Sequence, residues 1–231
     1  MTKLVVALDM KPGLEARALV SKLVDGAGVS WFKIGVPMLL DADEGARTAD
    51  FIRWRGQAQM MLDLKLYDTR DTVLRALDGA VALGAAMLTV HADCVIHTLG
   101  DDRLKILAVR KLTDRTGQRP AHDGMADGII CSVRHARFVR QYTDKLLVCP
   151  GIRRDGAARD NHTDAATPLE AREAGADFIV VGRPIIFASD PVAAALAVLH
   201  ELTEIRYRYS GADGTKAVQL RCDNDPADHA G

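Results

Sequence analysis

A chain of 231 residues with 30 basic and 31 acidic side chains lacks the basic excess that marks a nucleic-acid or membrane-surface protein. Its length suits one large α/β domain, close to the roughly 250 residues of a closed barrel, and its apolar content of 48% allows a sizeable core. The longest apolar runs are too short to span a bilayer, and Met1 leads into a polar pair instead of a basic and then apolar leader. The expectation is a soluble, cytoplasmic protein with no nucleic-acid or membrane partner.

In chain order, short apolar runs alternate with amphipathic stretches. A run at 4–8 precedes a helical pattern at 14–24, and a run at 31–34 precedes one at 46–55. The run at 60–66 leads into a pattern at 72–83. Runs at 87–91 and 106–109 follow with little helical material after either. The runs at 128–131, 146–149 and 178–181 are followed by patterns at 133–142, 169–174 and 192–202. Near-continuous apolar strands alternating with helices mean a parallel sheet buried on both faces. Eight such units predict a (β/α)8 TIM barrel in one domain, residues 1–205, with trimmed fourth and fifth units and a polar C-terminal tail over 206–231. Thr167-Pro168-Leu169-Glu170 reads as a capping box with proline at the first helical position, and Gly175 as the stop of that helix.

The cysteines, Cys94, Cys131, Cys149 and Cys222, contain no CxxC pair, and the first three sit in or near apolar runs. They are expected to be free thiols in a reducing compartment. His135 and His200 fall on helical patterns and read as surface or packing residues. No grouping has metal-ligand spacing, and neither GxSxG nor GxxxxGK[ST] is present.

Catalytic groups of such a barrel come from the carboxyl ends of the strands. The charges there are Asp9, Lys33, Asp63, Lys65, Asp68, His91 and Asp114. Within Asp63-Leu64-Lys65-Leu66-Tyr67-Asp68, strand alternation puts Asp63 and Lys65 on one face, with Asp68 in the loop beyond. At an effective dielectric near 20, a carboxylate about 4 Å away favours a charged lysine by about 4 kcal/mol. Lys65 is therefore expected to stay charged, suited to stabilising a carbanion and protonating it, and unsuited to Schiff-base chemistry. A second cluster follows the seventh and eighth strands, Pro150-Gly151-Ile152-Arg153 and Gly182-Arg183-Pro184. Loops in that position commonly hold phosphate, glycine admitting backbone N–H groups and arginine offering two donors.

These residues carry a family resemblance. Asp63-Leu64-Lys65-Leu66-Tyr67-Asp68 with Asp71-Thr72-Val73 resembles the DxKxxD…TV signature of the orotidine 5'-monophosphate decarboxylases. VALD ending at Asp9, FKIG with Lys33, LTVHA around His91, DGIICS at 127–132, CPGIR ending at Arg153 and GADFIVVGRPI around Arg183 agree in order and spacing. The resemblance runs over about residues 3–200. It implies decarboxylation of orotidine 5'-monophosphate to UMP in pyrimidine biosynthesis, with no metal and no organic cofactor. Lys65 would protonate the C6 carbanion, and Asp63 would lie against the substrate carboxylate and hold Lys65. Asp68 and Thr72 would reach into the partner's site of a homodimer. Asp9 and Lys33 would bind the ribose, and Pro150, Gly182 and Arg183 would serve the phosphate end.

The chain departs from the family pattern at several points. Leu112-Thr113-Asp114 stands where the family has an LTS-like segment whose serine reads the pyrimidine, and an ionised aspartate accepts but does not donate. His162 stands in place of a glutamine that bridges base and phosphate, Asp164 where an arginine is frequent, and Thr69 where an apolar residue is usual. Two alternatives stay open at this point. One is a superfamily relative acting on another phosphorylated acid or sugar, such as the 3-keto-gulonate-phosphate decarboxylases and hexulose-phosphate synthases. The other is a nucleotide-binding protein without turnover.

Overall fold

The computed structural model describes residues 1–94, 103–109, 126–154 and 165–203. Cys222, Asp114, His162, Asp164, the tail over 206–231 and most of the two trimmed units lie outside the described residues. Eight parallel strands close into a barrel in sequence order. They are β1 (Lys3–Ala7), β2 (Trp31–Gly35), β3 (Gln59–Leu66), β4 (Met87–His91), β5 (Lys105–Val109), β6 (Gly128–Ile130), β7 (Leu146–Cys149) and β8 (Phe178–Val181). Closure is direct, Lys3 to Val6 of β1 pairing with Phe178 to Val181 of β8.

The helices are α1 (Leu14–Ala27), α2 (Val36–Leu39), α3 (Ala42–Trp54), α4 (Arg70–Ala82), α5 (Val133–Val139), α6 (Pro168–Glu173), α7 (Arg183–Ile186) and α8 (Pro191–Thr203). In α1, Ala16, Leu19, Val20, Leu23, Val24 and Ala27 are buried, the i, i+3, i+4 stripe that a helix lays on a sheet. It ends at Gly28, left-handed at φ 65°, whose N–H bonds back to Leu23 and Val24 carbonyls, a conformation glycine adopts without a Cβ penalty. The capping box of α6 is present in full: Thr167 Oγ1 accepts from the Glu170 N–H at 3.2 Å, and Glu170 Oε2 accepts from the Thr167 N–H at 2.8 Å.

The core has two layers. Outward residues of the strands, such as Val6, Ile34, Leu62, Leu88 and Ile179, pack under the helices. Inside the barrel, Val5, Trp31, Met61, Met87, Leu107, Val148 and Phe178 form a second cluster, with Trp31 and Phe178 meeting edge to face at 5.0 Å. The barrel interior is thus filled with apolar side chains below. Above this plug, towards the carboxyl ends of the strands, Asp9, Lys33, Asp63 and Lys65 line a cavity.

β3 departs from a plain strand. Its pairing with β4 shifts register between Leu62 and Leu66, and Lys65 takes φ 47°. Simple alternation is therefore not what brings Asp63 and Lys65 together, although they do meet. The left-handed region costs a non-glycine residue on the order of 1–2 kcal/mol, and such strain persists only where surrounding contacts over-determine it.

Candidate active site

A cavity of about 230 Å³ opens at the carboxyl ends of the strands. Its apolar floor is Ala7, Met61, Ile130 and Val180, directly above the barrel plug. One wall is ionic: Asp9 after β1, Lys33 on β2, and Asp63 and Lys65 on β3. The loops after β7 and β8 face β3 across the closed barrel, with Pro150, Gly151, Arg153, Gly182 and Arg183. Because β8 pairs with β1, Gly182 lies beside Asp9. Gly151 sits at φ 80°, a turn that favours glycine.

The ionic wall is a chain of alternating charge. Lys33 Nζ donates to Asp9 Oδ1 at 2.9 Å and to Asp63 Oδ2 at 3.2 Å. Lys65 Nζ donates to the other Asp63 oxygen, Oδ1, at 2.6 Å. Lys33 and Asp63 are largely buried, their side chains 11% and 14% exposed, whereas Lys65 is 56% exposed. The interior of the chain is thus fixed and its outer ammonium faces the cavity.

Burial alone pushes the Asp63 carboxyl up, but the Lys65 hydrogen bond, the Lys33 and Lys65 charges and the Thr89 hydroxyl outweigh it and hold it below the usual carboxylate range. The magnitudes agree. A buried ion costs several kcal/mol to desolvate, and three donors to a carboxylate contribute about 1.5–3 kcal/mol each. Because its folded value lies below the ordinary 3.8, ionised Asp63 stabilises the fold above that value. The contribution is lost as pH falls through the folded value. Thermal unfolding followed between about pH 5 and pH 3 is expected to show a shallower loss of stability in Asp63→Asn than in the wild type. Equal slopes would mean that Asp63 carries no such linkage.

Thr89, on β4 and absent from the sequence-based candidates, is fully buried. Its hydroxyl donates to Asp63 Oδ1 at 3.0 Å and accepts from the Lys65 backbone N–H at 2.9 Å. Arg153, quoted in its motif but not counted among the candidate site residues, is also buried, bonded through Nη1 to the Ile152 carbonyl at 2.8 Å.

Asp68 and Thr72 do not line this cavity among the described residues. Both are exposed, at the loop and first turn leading into α4. The Thr69 N–H donates to Asp68 Oδ1 at 2.6 Å, and this bond, with the Thr72 hydroxyl next, holds the Asp68 carboxyl below its ordinary value. Thr69 Oγ1 lies 3.0 Å from Thr72 Oγ1, so the polar residue at position 69 takes part in ordering this turn. His91 is set apart from the cavity, its ring 4.7 Å from Tyr67 and its Nδ1 3.4 Å from Asp93 Oδ2. His135 bonds Ser132 through Nδ1 at 2.8 Å, and His200 is exposed on α8. Among the described residues no three His, Cys, Asp or Glu side chains cluster as a metal site. No described helix is long and apolar enough to cross a membrane.

The cavity therefore carries two carboxylates balanced by two ammonium groups on one wall, and two guanidinium groups with flanking glycines on the other. A closed parallel barrel with such a rim belongs to the class of (β/α)8-barrel enzymes that act on small anionic substrates. Within that class the chain belongs to the orotidine 5'-phosphate decarboxylase / HUMPS family, which matches residues 2–98 and 97–198. It is 36% identical over 229 residues to the orotidine 5'-phosphate decarboxylase of Nitrobacter winogradskyi, covering 87% of this chain and 93% of that protein. The Caulobacter vibrioides protein of the same name is 35% identical over 233 residues, covering 88% of this chain and 98% of its own length. Among solved structures, the orotidine 5'-phosphate decarboxylase of Lactobacillus acidophilus superposes with a TM-score of 0.66 at 30% identity. It covers 88% of this chain and all of its own. The enzyme of that name from Pyrococcus horikoshii OT3 has the same TM-score at 23% identity and shares the fold.

Proposed function

We propose that the protein decarboxylates orotidine 5'-monophosphate to UMP, a carbon–carbon lyase reaction of pyrimidine biosynthesis, without metal or organic cofactor. The observation that carries this reading is the Asp9–Lys33–Asp63–Lys65 ion chain, which presents an ammonium group to a cavity whose far wall holds Arg153 and Arg183. That layout suits a substrate with a reacting carboxylate at one end and a phosphate at the other.

In this reading Arg183, with the backbone at Gly182 and the Pro150-Gly151 turn, takes the phosphate, and Asp9 and Lys33 take the ribose hydroxyls. The substrate carboxylate lies against Asp63. The C6–carboxylate bond breaks, carbon dioxide leaves, and the electron pair remains on C6. Lys65 stabilises that developing negative charge and transfers a proton from Nζ to C6, completing UMP. The positive charge this step needs is supplied by an ammonium group already fixed beside Asp63, and burial of its support keeps the geometry preorganised. Asp114 and His162 would contact the base.

The exposed Asp68 and Thr72 would act in the partner's cavity of a homodimer, since neither lines the cavity of its own chain. The free thiols of Cys94, Cys131 and Cys149 fit a cytoplasmic enzyme.

The test is loss of orotidine 5'-monophosphate absorbance with purified protein in the presence of a chelator, where turnover is expected. A 1:1 mixture of Lys65→Ala and Asp68→Ala, each inactive alone, should recover about a quarter of the wild-type sites if sites are shared in a two-fold dimer. Absence of turnover by the wild type would overturn the decarboxylase reading. Absence of recovery in the mixture would overturn the shared site.

A further inference from the structure

We infer that Thr89 is a positioning residue for decarboxylation, holding both the carboxylate and the backbone that aim Lys65 at the substrate. The inference rests on the reading of Lys65 as proton donor and adds a residue from a different strand.

The direction of its two hydrogen bonds is fixed by chemistry. The Lys65 backbone N–H can only donate, so at 2.9 Å the Thr89 oxygen accepts it. Ionised Asp63 can only accept, so at 3.0 Å the single hydroxyl proton goes to Asp63 Oδ1. One hydroxyl therefore holds both members of the Asp63–Lys65 pair from the neighbouring strand. Its bond to the Lys65 N–H falls at the residue held at φ 47° and inside the register shift between β3 and β4. β4 pairs again at Leu66 with Val90, and the Thr89 hydroxyl is the acceptor that meets the Lys65 backbone itself. Its loss frees that N–H and lets Lys65 relax towards an ordinary strand conformation, which would redirect its side chain.

Thr89 itself is fully buried and does not line the cavity. It acts through Asp63 and Lys65 and not on the substrate. Threonine satisfies the geometry because it both donates and accepts in a small volume; valine, of the same shape, does neither.

The test compares Thr89→Val with Thr89→Ser. Valine is expected to lower kcat on the order of 10- to 100-fold, the loss that follows from removing a hydrogen bond to a charged group, with KM nearly unchanged. Serine should restore most of kcat. The readout that a packing role would not move is the titration of Asp63, followed by carboxyl 13C NMR. Asp63 is faced by Lys33 from β2 and Lys65 from its own strand, with Asp9 beyond Lys33 and Arg153 and Arg183 across the cavity. Only the Thr89 donor changes, so the Asp63 midpoint should rise in Thr89→Val and stay in place in Thr89→Ser. Should Thr89→Val fail to fold, Thr89→Cys, similar in volume and a weak donor, takes its place with the same expected direction.

Wild-type kcat in the valine variant, or an Asp63 titration identical in the valine and serine variants, would overturn the inference. A wild-type protein inactive on orotidine 5'-monophosphate would remove the proposed function, and the NMR titration would still decide whether Thr89 holds Asp63.

Discussion

Replacing Lys65 by alanine is expected to lower kcat on orotidine 5'-monophosphate by about four orders of magnitude or more while the nucleotide still binds. Two losses combine. A positioned general acid contributes about 10²- to 10⁴-fold, and removal of one preorganised group that stabilises developing charge costs a further 10²- to 10³-fold or so. Binding is expected to survive because the proposed phosphate contacts, at Gly182 and Arg183, come from the loop after β8 and not from β3. Asp63 remains paired to Lys33 at 3.2 Å and hydrogen-bonded to Thr89 at 3.0 Å, so the variant should fold. UMP titration by calorimetry and a single-turnover assay separate the two effects. A variant that binds UMP and keeps kcat within about tenfold of the wild type would remove Lys65 from the chemistry, since a general acid contributes more than that.

The barrel was legible because parallel strands buried on both faces read as uninterrupted apolar runs. β4, β7 and β8 coincide with the runs at 87–91, 146–149 and 178–181. Edges were less legible where charge intrudes. α3 begins at Ala42, four residues before the expected start, because Asp43 and Glu44 in its first turn break the apolar pattern while favouring a helix start. α2 and α7 are single turns with proline at their second positions, too short to show a helical period. In the site, the charged residues of the ionic wall stood out because charge on a barrel strand needs a partner. Their connectivity did not: Lys33 lies between Asp9 and Asp63, which only the register of β1, β2 and β3 could reveal. The left-handed Lys65 has no sequence signal at all, and Thr89 passes for an ordinary β-former inside an apolar run. His91 stood out as a rim charge, yet it serves Tyr67 and Asp93.

Arg183→Ala is the complementary prediction, with kcat/KM on orotidine 5'-monophosphate expected to fall about 10²- to 10⁴-fold. Arg183 opens α7 immediately after Gly182 and lines the cavity opposite Lys65. A guanidinium can make two charge-assisted bonds to a phosphate, each contributing about 1.5–3 kcal/mol. Together these correspond to about two to four powers of ten. The split between parameters carries the mechanism. If the phosphate contact only anchors the substrate, KM rises and kcat is unchanged; if remote binding energy is used to press the substrate carboxylate against Asp63, kcat falls as well. The second pattern is expected from the proposed mechanism, in which the reacting group is brought beside Asp63, a carboxylate already hydrogen-bonded by two ammonium groups. Comparing the substrate with the dephosphorylated nucleoside tests this directly. Wild-type and Arg183→Ala proteins should act on the nucleoside at similar rates, and a larger defect of the variant on the nucleoside would show that Arg183 does not address the phosphate.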